Sequence, residues 1–327
     1  MKTIKTILVA VIMAVFLSCS NNDDTNQTSK ANSFTELIST STKFSPRWRH
    51  QSISFDGKIW VIGGQDANGY SNEIWNSNDG FNWEQVTPSG TIFSPRYDFG
   101  LTVFNNQLWV IGGYDSESRV YDIWNSPDGI TWNRVIPSGI TFGATSIHSL
   151  TVFNNKMWLI GGIEGTSFSN AIWNSADGIN WNQVTVSGSL FTPRYLHSTY
   201  IFNDKLWVAG GYDNVTGTKN DIWSTSDGMT WTEEDNANAF SERYYQNIVS
   251  INEKLYLIAG TEAFGVGSSE LWTSLDGLNW QEITSDKNYF SSRRGQATVV
   301  HNGEIYVVAG ELTGNEDFSN QVWKYNY

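Results

Sequence analysis

An arginine followed by an aromatic residue recurs along this chain as Arg47-Trp48, Arg96-Tyr97, Arg194-Tyr195 and Arg243-Tyr244, with Arg293-Arg294 closing the series. Thr145-Ser146 interrupts it one step after Tyr97. Guanidinium groups are fixed donor forks for carboxylates, and aromatic faces stack on the apolar faces of sugar rings. A ring of such pairs would suit an acidic or partly acidic carbohydrate, entering near the gap at Thr145. The plainer reading pairs each arginine with an acid of its own or a neighbouring repeat and makes each tyrosine a spacer, since buried charges need partners. His50, His148 and His197 follow three residues behind the arginine register. Imidazole is a common metal ligand, but these three come from separate repeats, and hydrogen bonding within the fold is the expectation for them. His301 lies in a hairpin turn and suggests no chemistry. Glu117, Glu164, Glu262 and Glu311 sit in variable segments and are candidate proton donors, each weighed against a solvated loop charge. No phosphate loop, nucleophile-base pattern or metal-spaced cluster appears, so neither cofactor nor metal is implied.

The elements that must position these groups follow from a repeat. Trp60-Val61-Ile62-Gly63-Gly64 returns at Trp109, Trp158 and Trp207, 49 residues apart each time, and continues with Tyr256 and Tyr306. A second ladder runs Trp75, Trp124, Trp173, Trp223, Trp272 and Trp323, and a third Trp83, Trp132, Trp181, Trp231 and Trp280. These ladders hold 15 of the 16 tryptophans, and Trp48 stands outside them. Periodic placement makes the ladder residues a repeated core. Each unit reads as four short strands joined by Asx-Gly or Asx-Asx corners, which suit hairpins requiring positive φ. The Ile-Trp-Val-Ile run lacks polar alternation, as expected of a strand covered on both faces. Stacked blades of a propeller supply that environment.

A period near 50, a di-glycine ending the second strand, a downstream aromatic and Pro-Arg before the first strand resemble Kelch repeats. The resemblance covers residues 33-327 and implies an all-β, six-bladed β-propeller with blades near 47-95, 96-144, 145-193, 194-242, 243-292 and 293-327. Departures are the downstream Trp in place of Tyr, and Ala259 and Ala309 at the first glycine. Only the second glycine is present in every copy, so it alone is expected to need positive φ or close backbone approach. The Ser77-x-Asp79-Gly80-x-x-Trp83 word is similar to a shortened sialidase Asp box, a structural turn that implies no sialidase activity. The closing strand of the sixth unit is missing after Trp323, while residues 33-38 have its phase. The N-terminal strand is therefore expected to complete the last blade and close the ring, leaving no exposed sheet edge.

Residues 1-18 have the pattern of a signal peptide: Lys2 and Lys5, then the apolar run from Ile7 to Leu17, too short to span a bilayer. Phe16-Leu17-Ser18-Cys19 resembles a lipobox, with Phe16 where Leu is usual. Cys19, the sole cysteine, is then the lipidated residue, and residues 19-32 are a flexible tether. The expected location is a bacterial outer-membrane lipoprotein displayed at the cell surface, by way of Asp23-Asp24, with a periplasm-facing anchor as the alternative. The membrane would be met only through the lipid. Without residues 1-18 the chain has 18 basic against 33 acidic residues, net −15, a surface that repels phosphate backbones and excludes nucleic acid.

The strand 1-2 and 3-4 turns are short and alike, whereas the 2-3 loops differ in every unit: residues 65-71, 114-121, 163-170, 212-220, 261-269 and 311-319. These share a face with the 4-1 linkers, and the binding surface is expected there. The leading function is a surface-anchored binding module for glycans. The chain is also similar in architecture to six-bladed Kelch sialic-acid mutarotases; that likeness implies a loop glutamate as acid and a ring arginine on a sugar carboxylate. Copper radical oxidases with Kelch blades need a Cys-Tyr crosslink, which Cys19 in the tether cannot give. A protein-protein scaffold is the third reading, and would present a broad patch rather than a pocket.

Overall fold

The structure is a computed structural model that describes residues 32–139, 142–262, 265–284, 289–314 and 317–327. The expected signal segment, the lipidation candidate Cys19 and the expected tether up to residue 31 lie outside the described residues. Among those described, the named elements are all strands. Their longer strands form six antiparallel sheets, the first being Gln51–Phe55, Lys58–Ile62, Ile74–Ser77 and Glu84–Val86, and two-residue strands of the linkers add to three of these or pair in small sheets of their own. The innermost strands, Gln51–Phe55, Gly100–Phe104, Ser149–Phe153, Ser198–Phe202, Asn247–Ile251 and Ala297–His301, each touch the next, and the last touches the first. The sheets thus stand as blades around a central channel.

Second strands are buried on both faces, as the unbroken apolar run requires; Ile59, Val61 and Ile62 have no exposed surface. The three tryptophan ladders lie between blades, and each has a characteristic indole hydrogen bond, absent in the second ladder where the acid is replaced, at Trp323 for example. Trp60 Nε1 donates to the Phe55 carbonyl at 2.8 Å, Trp75 to Glu73 at 3.2 Å and Trp83 to the Gly80 carbonyl at 2.9 Å. Burying one such ring contributes roughly 2–3 kcal/mol from area alone. The Asp box-like word is a turn: Ser77 Oγ accepts from Gly80 N, and Asp79 Oδ1 from Phe81 N, both at 2.8 Å. Its glycine is needed because a Cβ at Gly129 or Gly178 would overlap Trp60 or Trp109 of the preceding blade.

The N-terminal strand Ser33–Glu36 pairs with Asp317–Asn326, setting Phe34 opposite Tyr325 and Glu36 opposite Trp323. Phe34 is buried against Phe290 and Tyr325, with ring centroids at 4.9 and 5.0 Å. The last blade is closed by the start of the chain, as its phase in the repeat implied.

Two expectations change. Positive φ belongs to both glycines of the pair, not to the second alone. The first lies near +60°, a region that Ala259 and Ala309 occupy at 57° and 55°. The second lies between 93° and 108°, outside what an L side chain adopts readily. A Cβ on Gly64 would also stand 2.7 Å from His50 Cβ. Moreover, much of the expected 2-3 loops is strand. Gln107–Tyr114 and Arg119–Ser126, for example, run past a bulge at the glycine pair and leave only a short tip.

Candidate functional site

The expected arginine ring turns inward. Arg47, Arg96, Arg194, Arg243 and Arg293 have no exposed surface, and their own blades take up their donors. Arg96 Nε donates to the Ser94 carbonyl at 3.0 Å, Nη1 to the Gly112 carbonyl at 2.9 Å, and both terminal nitrogens to Asp122 at 2.5 and 2.9 Å. Arg47 meets Glu73 at 2.5 Å, Arg194 meets Asp221 at 2.6 Å and Arg243 meets Glu270 at 2.5 Å. Arg293 has the amide of Gln321 instead, at 2.9 Å, and burial drives its pKa down to about 10. These side chains tie the 4-1 linker to the second and third strands and are not presented to a ligand. The third blade has lost both partners together, with Thr145 for the arginine and Ala171 for the acid. Removing only one would leave a buried charge unpaired.

The aromatic half of each pair does face the mouth. Trp48, Tyr97, Tyr195 and Tyr244 are partly exposed, and rings from the 2-3 hairpins extend them into two arcs. Tyr97 packs on Tyr70 at 4.8 Å and Tyr114 at 5.5 Å; Tyr195 packs on Phe168 at 4.7 Å and Tyr212 at 5.6 Å, and Tyr212 reaches Tyr244 at 5.8 Å. Trp48 stacks on Phe318 at 5.9 Å. Arg119 of the second blade fills the gap at the third, donating to Ser146 Oγ at 3.0 Å and the Gly165 carbonyl at 2.7 Å.

Inside these arcs lies a collar that the sequence reading missed. Arg49, Asp98, Ile147, Leu196, Tyr245 and Gly295, one per blade, all have φ between 53° and 62°. Five are not glycine and Ile147 is β-branched, so backbone strain is concentrated here. Hydrogen bonds link neighbours around the axis: Arg49 N to the Gly295 carbonyl at 2.8 Å, Asp98 N to Arg49 at 3.3 Å, Ile147 N to Asp98 at 2.9 Å and Tyr245 N to Leu196 at 3.1 Å. Arg49 Nη1 donates to Asp98 Oδ2 at 3.0 Å, and its guanidinium lies 4.1 Å from the Trp48 ring centre, 5.3 Å from Tyr97 and 5.4 Å from Tyr245. Burial pushes the Asp98 carboxyl up, against the pull of Arg49. Burial likewise raises the Tyr97 hydroxyl to about 12. The signal for this collar was available: its register reads Arg, Asp, Ile, Leu, Tyr, Gly, dissimilar although it lies two residues after the recurring arginine.

The four glutamates are dispersed over four blades. Glu117 is exposed at a hairpin tip. Glu164 accepts from Gly143 N at 3.1 Å, and Glu262 lies 3.3 Å from Arg243. Glu311 is buried in a two-point pair with Arg294, at 2.7 and 3.2 Å. No acid-base pair for proton shuttling is assembled from them. Below the collar, burial lowers the pKa of His50 to about 3, His148 to about 4 and His197 to about 3. Of the three, only His197 has the expected hydrogen bond, between Nε2 and Ser149 Oγ at 3.1 Å. Among the described residues no group of three or more His, Cys, Asp or Glu is placed to hold a metal ion.

The family model described as the KLHDC2/KLHL20/DRC7 Kelch-repeats domain matches residues 20–162 and 147–327. No curated protein matches the chain. With that match running from residue 20 to the last strand of an all-β structure, the chain belongs to the Kelch-repeat family, whose propellers are binding and interaction modules.

Proposed function

We propose that this Kelch propeller binds glycans on its aromatic-rimmed face, tethered to a bacterial envelope through a lipid on Cys19. The observation that carries the reading is the pair of aromatic arcs around the Arg49–Asp98 pair. Half-exposed rings on a rigid rim suit the C–H faces of sugars, and the paired charges supply donors and acceptors for hydroxyl groups. Three rim cations have carboxylate partners, in Arg49–Asp98, Arg294–Glu311 and Lys219–Asp213, at 3.0, 2.7 and 2.9 Å, whereas Arg119 donates to Ser146 Oγ and the Gly165 carbonyl. That balance favours neutral over acidic sugars, because an added carboxylate would compete with one already in place. The tether supports display of this face: Ser33 pairs with Asn326 at the 3-4 turn end of its blade, opposite the rim. An anchor at Cys19 would leave the rim pointing away from the membrane, at the cell surface or into the periplasm.

The test is a glycan-array screen of residues 32–327 beside a Trp48→Ala/Tyr195→Ala variant of equal melting temperature. Binding that the variant loses supports the reading. A screen without hits moves a protein partner to the front. The family match favours that second reading, and Tyr and Trp are also enriched where proteins meet.

A further inference from the structure

The two aromatic arcs come from different blades and meet over one side chain. The first arc draws its rings from blades one and two, the second from blades three to five. Arg49 stands between them, its guanidinium 5.3 Å from the Tyr97 ring of the first arc and 5.4 Å from the Tyr245 ring of the fifth blade. Tyr245 in turn packs on Tyr244 of the second arc at 5.7 Å. Contacts of less than 6 Å therefore run without a break from Tyr114 through Tyr97, Arg49, Tyr245 and Tyr244 to Tyr212.

This surface is open rather than enclosed. Arg49 and Tyr245 stand where it passes into the axial cavity, but Trp48, Tyr97, Tyr195 and Tyr244 lie outside the cavity wall. A single sugar on an open face stacks on one ring and keeps its other face in water. Association costs translational and rotational freedom once for each ligand, and later contacts of the same chain form at high effective concentration. A chain that reaches several rings thus gains a contact with each sugar against one shared cost. Rings on both sides and a guanidinium between them alternate apolar faces with donors, as the C–H faces and edge hydroxyl groups of linked pyranoses require.

From the continuity of the two arcs through Arg49 we infer that the rim takes a linear neutral oligosaccharide longer than a disaccharide. The chain lies across the channel mouth, with sugars resting on both arcs at once. This inference rests on the glycan reading of the rim and narrows it.

The experiment uses the chain from residue 32 on, which contains every named strand. It is titrated by calorimetry with glucose, mannose, xylose and N-acetylglucosamine, with their β-1,4-linked tetramers and with maltotetraose. Tyr97→Ala in the first arc and Tyr195→Ala in the second, each of unchanged melting temperature, are titrated beside it. At least one tetramer should bind about tenfold or more tighter than its monomer, and each variant should weaken that tetramer about two- to tenfold, the worth of one stacking contact. If either variant melts early, Tyr114→Ala or Phe168→Ala replaces it in the same arc. A monomer that binds as tightly as its tetramer overturns the inference and leaves the glycan reading intact, and so does a tetramer weakened by the variant of one arc only. Tetramers that all fail to bind overturn the linear class; array hits among branched or acidic sugars would then keep the glycan reading, and a blank array would remove both.

Discussion

Acid should destabilise this propeller well before its carboxylates titrate, because three imidazoles are buried in neutral form at the channel. In the unfolded chain each would titrate near 6.5, whereas in the fold His50 and His197 are lowered to about 3 and His148 to about 4. A base with a depressed folded pKa contributes stability that is complete above the unfolded value and lost as pH falls toward the folded one. Between pH 7.5 and 5 the loss is about 2 kcal/mol per imidazole, or about 6 kcal/mol for three. That is comparable with the whole stability of many domains, about 5–15 kcal/mol. Asp98, raised by burial, works in the opposite direction. The turn aspartates, such as Asp177 held at about 2, keep their stabilising contribution over this range and lose it only at still lower pH. The assay is urea unfolding at pH 8, 7, 6 and 5, beside a His50→Gln/His148→Gln/His197→Gln variant. Glutamine suits the register, because Gln246 and Gln296 already occupy it. Wild type should lose stability steeply below pH 6.5, and the variant should be nearly flat to pH 5. An unfolding free energy that is the same at pH 7 and pH 5 in wild type would refute the burial argument, since the imidazoles would then accept protons within the fold.

Two further outcomes follow from the blades. Gln321→Glu gives Arg293 the carboxylate that the corresponding arginines of four other blades already have; it should stabilise the fold by about 1–2 kcal/mol, read as a higher urea midpoint, and an unchanged or lower midpoint counts against the buried-charge account of that blade. Deleting residues 33–38 removes the strand that pairs with Asp317–Asn326 and should lower the melting temperature sharply, whereas deleting 20–31 should not; equal melting of the two truncations would contradict closure by the N-terminus.

The architecture was legible because it is periodic. A unit that repeats six times must satisfy the same packing six times, so its core tryptophans, glycine pairs and turn aspartates recur and can be recognised. Even the partner of each arginine could be read: Glu73, Asp122, Asp221 and Glu270 stand two residues before a ladder tryptophan, and Ala171 coincides with the blade that lacks the arginine. The Arg-aromatic words showed which positions recur but not which way each side chain points. Only the folded blade shows that Arg96 turns into its own sheet while Tyr97 faces the mouth, because that depends on where the second and third strands place Asp122 and Tyr114. The collar of Arg49, Asp98 and Tyr245 escaped the repeat analysis for the converse reason. Six linkers meet there at one axis, each contributing a different side chain at the same place in the repeat, so the spacing marks the positions but only the closed ring brings Arg49 against Asp98 and Tyr245.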